Sequence, residues 1–299
     1  MANATLDKVL EGLMKRYTQR VPDVQKVINA MVAEGVIHNS TDIENDHIAF
    51  RTLGVPHLGI QSLEKIFLHL GYTRMEPYFF PAKKLDAYWY APPAENYPRI
   101  FISELRVKDL SPVAQDIIHS YTDEVTTDPV DSLDLDDAAA VDHFLHSGLW
   151  RIPTLENYLA LNKESEYAAW VIYNRYYLNH FTVSVHNLAA GYDTIAGFNR
   201  FLESKGFTLN DSGGKIKTSG DGFLLQSSTV AEKIEAIFAD NTVYRIPGSY
   251  VEFAERKVLP AFANLDAADI KRQHRREGFE ASNADKIFES TYASQTEKR

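Results

Sequence analysis

Four side chains have the types and settings for chemistry: His47, His180, Glu252 and Arg51. Two imidazoles and one carboxylate form a donor set that holds non-haem iron and leaves coordination positions open. Lacking sulfur, the same set also admits manganese, cobalt or zinc. Intrinsic affinity does not favour iron(II), so zinc or nickel would compete for the site in purified protein, and manganese suits the same donors. A guanidinium beside such an ion suits capture of a carboxylate, because its planar fork matches both oxygens. Plainer readings stand beside these. A histidine among apolar residues is more often a satisfied structural residue than a ligand. Arg51 is either a carboxylate clamp or half of a buried ion pair with Glu104 or Glu44.

The elements that would position these groups are strands. Asp46 to Gly54 is rich in β-branched and aromatic types, which suit a pleated surface. Side chains alternate along a strand, so His47, Ala49 and Arg51 share one face and Ile48 and Phe50 the other. Asn179 to His186 alternates polar with apolar in the same way, and Gly248 to Arg256 is a third such run. Around them the chain reads as strand, helix, strand, strand, strand, twice over. In the first copy a helix over 61–70 precedes strands at 72–80, 85–91 and 99–107. In the second, a helix over 194–205 precedes strands at 207–210, 222–227 and 244–256. The copies align a histidine on the first strand with a glutamate on the last: His47 with Glu104, and His180 with Glu252.

This order predicts an α+β fold. Two βαβββ modules form a curved, mostly antiparallel, barrel-like sheet around a metal site, flanked by helices. The expected divisions of this one composite domain are N-terminal helices over 1–45, a first module over 46–110, an acidic connector with helices over 111–178, a second module over 179–256 and a C-terminal helical tail over 257–299. The tail carries a basic cluster, Lys271-Arg272-Gln273-His274-Arg275-Arg276.

Composition narrows the function. The 299 residues are 44% hydrophobic, enough for a large core. No cysteine is present, so disulfides, thiolate metal sites and cysteine nucleophiles are excluded. A net charge of -10 argues against nucleic-acid or anionic-membrane partners. No run of about 18 apolar residues suggests a membrane span, and the first 13 residues hold no hydrophobic signal core. A cytoplasmic protein is the expectation. Weaker candidates fall away on spacing. His143 and His146 lie in the acidic connector and read as a solvated helix face. His186 is six residues beyond His180, too far along one strand to share its ion. Ser212-Gly213-Gly214-Lys215 lacks phosphate-loop spacing, and no Gly-x-Ser-x-Gly elbow is present.

Asp46-His47-Ile48-Ala49-Phe50-Arg51-Thr52, Asn179-His180-Phe181-Thr182, Tyr250 to Arg256 and Gly278 to Asp285 together resemble the 2-oxoadipate dioxygenase/decarboxylase family, also called hydroxyglutarate synthases. The resemblance spans about residues 40–292. It implies a fold similar to the vicinal-oxygen-chelate superfamily, in agreement with the repeat. It also implies iron(II) on His47, His180 and Glu252, and a catalytic, substrate-binding role for Arg51. The implied reaction converts 2-oxoadipate, or a similar 2-oxo dicarboxylic acid, and dioxygen into 2-hydroxyglutarate and carbon dioxide, in lysine breakdown. Ser282, Asn283 or the basic tail would close the substrate pocket. Two other classes fit the same residues: an oxygen-independent isomerase or lyase with Glu104 or Glu252 as base, and a non-catalytic 2-oxo acid binding protein.

Overall fold

The computed structural model describes residues 3–299; Met1 and Ala2, assigned above to the N-terminal helical segment, lie outside them. Two helices come first, α1 (Ala4–Arg20) and α2 (Pro22–Ala33). The Asn3 side chain accepts the Leu6 amide and caps α1, which buries Leu6, Val9, Leu13 and Tyr17 at helical spacing. Val21 separates them and Pro22 opens α2, a position where proline loses no helical hydrogen bond.

The first module contains β1 (Asn45–Leu53), α3 (Ile60–His69), β2 (Thr73–Phe80), β3 (Leu85–Ala91) and β4 (Arg99–Leu105). Four helices then cover the acidic stretch: α4 (Pro112–Thr122), α5 (Ala138–His146), α6 (Leu155–Glu164) and α7 (Glu166–Asn174). Residues 155–173 look continuous as a helix in sequence but form two, α6 and α7. Ser165 adopts an extended backbone between them, and its hydroxyl accepts the Ala168 amide, a cap that competes with continuing the helix. The second module contains β5 (His180–Ser184), α8 (Ile195–Ser204), β6 (Lys217–Thr218), β7 (Leu224–Ser228) and, after a hairpin of β8 (Lys233–Ile237) and β9 (Val243–Pro247), β10 (Tyr250–Arg256). The chain closes with α9 (Ala281–Ile287) and α10 (Ala293–Thr296).

Eight strands make one sheet in the order β2-β3-β4-β1-β5-β10-β7-β6, and β8 and β9 pair separately. The order is two-fold in pattern. Each module contributes a central strand paired in parallel with its last strand, β1 with β4 and β5 with β10, while the outer pairings are antiparallel. The antiparallel β1–β5 contact joins the halves and aligns Ala49 with His180. The expected mostly antiparallel α+β sheet of paired βαβββ modules is therefore present. Two strand assignments differ. Residues 207–210 form a single bridge, Leu209 to Thr229, and the short edge strand lies at β6 instead. The run before Gly248 is the separate hairpin, which turns at Asn241 with φ 60 and leaves Ile237 and Val243 exposed.

Register also changes which glutamates correspond. On β4 the partner of His47 is Arg99, and on β10 the partner of His180 is Tyr250. Counting along both strands, Glu252 matches Phe101, and Glu104 matches Glu255. The last two do the same work. Glu104 accepts the Ile60 amide at 2.7 Å and Glu255 accepts the Ile195 amide at 2.8 Å, each satisfying a free N–H at the start of a module helix. Gly59, at φ +83, brings its backbone against Glu104, where a Cβ would meet the carboxylate at 2.2 Å. Glu104 is thus a helix cap rather than a counterpart of Glu252.

The two halves are tied by a buried charge cluster. The Asp46 carboxylate on β1 accepts Arg256 Nε at 2.7 Å and Nη2 at 2.9 Å from β10, and Arg99 Nη1 at 3.1 Å from β4. All three side chains are buried. Removing one member of a buried ion cluster leaves uncompensated charge and costs about 3–5 kcal/mol. Asp46→Asn keeps the shape and removes the charge. We expect its Tm to fall by on the order of 10 °C, measured by circular dichroism, whereas an unchanged Tm would show that the cluster does not hold the modules together.

Candidate metal centre

The inward face of β1 carries His47, and the antiparallel β1–β5 register brings His180 beside it. The parallel β5–β10 register sets Glu252 opposite Thr182. His47 Nε2 and His180 Nε2 lie 3.3 Å apart. Glu252 Oε2 is 3.0 Å from His180 Nε2, and Oε1 is 3.5 Å from His47 Nε2. One ligand atom from each residue falls within 4.8 Å of the others, with all three residues buried. Three strands from two modules therefore converge their donors on one point.

The neighbours hold these donors in the orientation a metal requires. The other nitrogen of each imidazole is occupied: His47 Nδ1 meets Asp46 Oδ2 at 2.8 Å, and His180 Nδ1 meets Asn179 Oδ1 at 3.1 Å. Such partners fix ring orientation and leave Nε2 free as ligand. The β1–β5 pairing shifts register between Asn45 and Ile48, where Asp46 and His47 lie. Gln226 Nε2 donates to Glu252 Oε1 at 2.6 Å, and Asn283 Nδ2 donates to Gln226 Oε1 at 3.0 Å. Phe279 stands edge-on to the His47 ring at 4.8 Å, and Tyr250 lies tilted against His180 at 4.8 Å.

Charge in the site runs in opposite directions at its members. Burial pushes the Glu252 carboxyl up, but His47 and His180 outweigh it and hold the group well below its usual range. Burial lowers His47, but Glu252 and Asp46 reverse this and raise it. Burial dominates at His180, which is lowered despite Glu252. An anionic carboxylate buried between two imidazoles, both fixed through Nδ1, is a setting that a divalent cation would complete.

Arg51 shares the inward face of β1 and is 1% exposed. Nη1 donates to Thr291 Oγ1 at 2.9 Å and Nη2 to the Phe288 carbonyl at 3.0 Å. Its charge sits among the rings of Tyr167, Trp170 and Phe288, 5.1–5.7 Å from their centres. The ion pair considered in the sequence does not form. Glu104 is spent on Ile60, and Glu44 binds the Ser184 hydroxyl and the Asn187 amide.

The remaining candidates separate clearly. Asn283 is buried and reaches the centre only through Gln226, while Ser282 is exposed and lines no part of the cavity. The basic cluster lies elsewhere. Arg272 donates to the Glu95 and Tyr97 carbonyls and Arg275 to the Arg256 carbonyl, around a cavity on the far side of Asp46. The expected closure of the substrate pocket by Ser282 or the basic cluster is therefore corrected: Phe279, Ala284, Ile287 and Phe288 supply that wall. His146 bonds within its own helix to the Asp142 carbonyl, and His186 accepts the Arg256 amide. Asp46, Asn179, Gln226 and Tyr250 were not singled out in the sequence. A usable signal existed for two of them, since a polar residue directly precedes each histidine.

Comparison with known proteins gives one consistent result. A sequence model of the 2-oxoadipate dioxygenase/decarboxylase family matches residues 9–266. The chain is 46% identical over 265 residues to the Arabidopsis thaliana chloroplastic 2-oxoadipate dioxygenase/decarboxylase, covering 85% of this chain and 70% of the relative. It is 41% identical over 308 residues to the chloroplastic/amyloplastic enzyme of Oryza sativa subsp. japonica, covering 100% and 82%. The crystal structure of the Oryza sativa hydroxyglutarate synthase in complex with 2-oxoadipate superposes with a TM-score of 0.90 at 40% identity, covering 99% of this chain and 95% of that one. These relatives overturn the cytoplasmic expectation, because both curated plant proteins are plastid proteins by name. Composition could not separate the two compartments: a reduced, soluble interior permits a cysteine-free acidic domain in either. With its paired modules, its buried His-His-Glu centre and matches over nearly its whole length, the chain belongs to the 2-oxoadipate dioxygenase/decarboxylase family.

Proposed function

We propose that this protein converts 2-oxoadipate and dioxygen to 2-hydroxyglutarate and carbon dioxide, as a step of lysine breakdown, using iron(II) held by His47, His180 and Glu252. The ion would supply the oxygen chemistry, and three protein donors leave up to three coordination positions for substrate and dioxygen. The chain's own groups do the rest. Asp46 and Asn179 hold the imidazoles in the ligand orientation. The rings of Phe101, Phe279 and Phe288 line the cavity and exclude water. Arg51 takes a carboxylate of the 2-oxo acid and so fixes its position relative to the ion.

The observation that carries this reading is Arg51. A fully buried guanidinium with no carboxylate partner costs stability, and its place in the wall of the metal cavity supports a role as receptor for an anionic substrate. The isomerase or lyase reading needs a free base. Glu104 is a helix cap, and Glu252 stands between the two histidines.

An oxygen electrode with a panel of 2-oxo acids tests the reaction. Iron-reconstituted protein should consume dioxygen and release carbon dioxide in equal amounts with 2-oxoadipate. Turnover without oxygen uptake would instead identify an isomerase or lyase, and tight 2-oxo acid binding without turnover a binding protein.

Two variants test the residues. Glu252→Ala should lose stoichiometric metal while remaining folded, read by elemental analysis; full occupancy would reject this ligand. Arg51→Lys keeps the charge but loses the fork. A charge-assisted pair is worth about 1.5–3 kcal/mol, so kcat/KM should fall at least about tenfold, and further in Arg51→Ala, with metal content unchanged. Equal 2-oxoadipate affinity in folded wild type and Arg51→Ala would refute the clamp.

A further inference from the structure

Eight buried side-chain nitrogen or oxygen atoms lack a hydrogen-bond partner among the described residues, and three of them line the metal cavity: Arg51 Nε, Asn179 Nδ2 and the Tyr250 hydroxyl. Buried donors are almost always paired, and each unpaired one costs about 1–3 kcal/mol. Three in one small cavity form a set that a ligand bringing several acceptor oxygens would satisfy. Each residue is about 1% exposed, so bulk water does not serve them.

Two of the three have obvious duties that leave the orphan atom over. Arg51 spends Nη1 and Nη2 on Thr291 and Phe288. Asn179 spends its amide oxygen on His180. Tyr250 has no such duty. Its ring packs on His180, and a phenylalanine would pack there equally well, so the hydroxyl is unexplained by packing. A phenol hydroxyl is a hydrogen-bond donor at neutral pH, and this one lines the same cavity as Arg51.

We propose that the Tyr250 hydroxyl is a substrate-binding group that, together with Arg51 Nε, grips the carboxylate of the 2-oxo acid remote from the metal. With the 2-oxo end of the substrate directed to His47, His180 and Glu252, its remote carboxylate would be the group free to meet these two donors. Tyr250 then serves as a length and charge gauge: a 2-oxo dicarboxylate fills both donors, and a 2-oxo monocarboxylate leaves them empty. Discrimination of this kind is strong because the penalty falls on buried donors left unpaired. The module repeat offers no substitute, since the position matching Tyr250 on β4 is Arg99, which is turned to Asp46.

This inference rests on the proposed function, and the test separates the two. Tyr250→Phe removes one oxygen and keeps the ring. Its ligand-free Tm should be no lower than that of wild type, because the lost hydroxyl has no partner, and its metal content should be unchanged. Anaerobic calorimetry on zinc-loaded protein then compares 2-oxoadipate with 2-oxohexanoate, which lacks the remote carboxylate. We expect Kd for 2-oxoadipate to rise at least about tenfold in Tyr250→Phe, with Kd for 2-oxohexanoate unchanged within about twofold. An unchanged Kd for 2-oxoadipate overturns the role of Tyr250. Equal weakening of both ligands also overturns it, pointing to packing on His180. Wild type that binds neither acid overturns the proposed function itself, and this inference with it.

Discussion

A single carboxylate, that of Asp46, connects the fold to the chemistry. It is buried, it neutralises Arg256 from one module and Arg99 from the other, and its second oxygen also meets His47 Nδ1. The two guanidiniums hold the group far below the ordinary carboxylate range despite its burial. The anion that orients the His47 imidazole is thus the same anion that ties the modules together. Positioning His47 needs its strand held against its neighbours, and this charge joins β1 to β4 and β10. Arg99 is bonded in turn to Glu277, just ahead of the Phe279 that packs on His47, so the tail that walls the cavity is anchored to the same cluster.

The pseudo-symmetric halves divide their labour unequally. Each has a parallel central pair and a glutamate that caps its module helix, Glu104 or Glu255. At the equivalent position three residues earlier, one half carries Glu252 and the other Phe101. One module therefore supplies a carboxylate to the centre, and the other supplies an aromatic wall against Phe279 and Phe288. Histidines from both first strands meet because β1 and β5 are neighbours across the sheet's centre. The symmetry builds the cavity, and its breaking gives the cavity one charged side and one water-excluding side.

Arg51 is the complement of this arrangement. The Asp46 cluster balances its charges internally, whereas Arg51 is left with carbonyl, hydroxyl and ring partners only. Stability alone would favour an acid beside it. Unpaired beside the cavity, its charge rests on the packed aromatic shell of Tyr167, Trp170 and Phe288.

The sequence by itself determined the α+β class and the paired modules, because period-2 alternation and residue chemistry are local properties written in consecutive residues. His47, His180 and Glu252 were legible as inward-facing strand residues, and Arg51 as their neighbour on one face. Register was not legible. Matching Glu104 to Glu252 followed from their places on corresponding strands, but pairing against β1 and β5 shifts the equivalence to Glu255, and only strand contacts fix such a shift. Nor could the sequence show that Arg51 lacks an acid, that Asn283 acts through Gln226 while Ser282 faces solvent, or that the basic cluster braces carbonyls on the far side of Asp46. Each of these depends on which distant residue arrives at a given point. Arg256 meets Asp46, Gln226 meets Glu252 and Thr291 meets Arg51, contacts separated by 210, 26 and 240 positions. A hydrogen bond is directional over about 3 Å, and placement that fine is decided by the packing of whole strands and helices, not by any stretch of the chain alone.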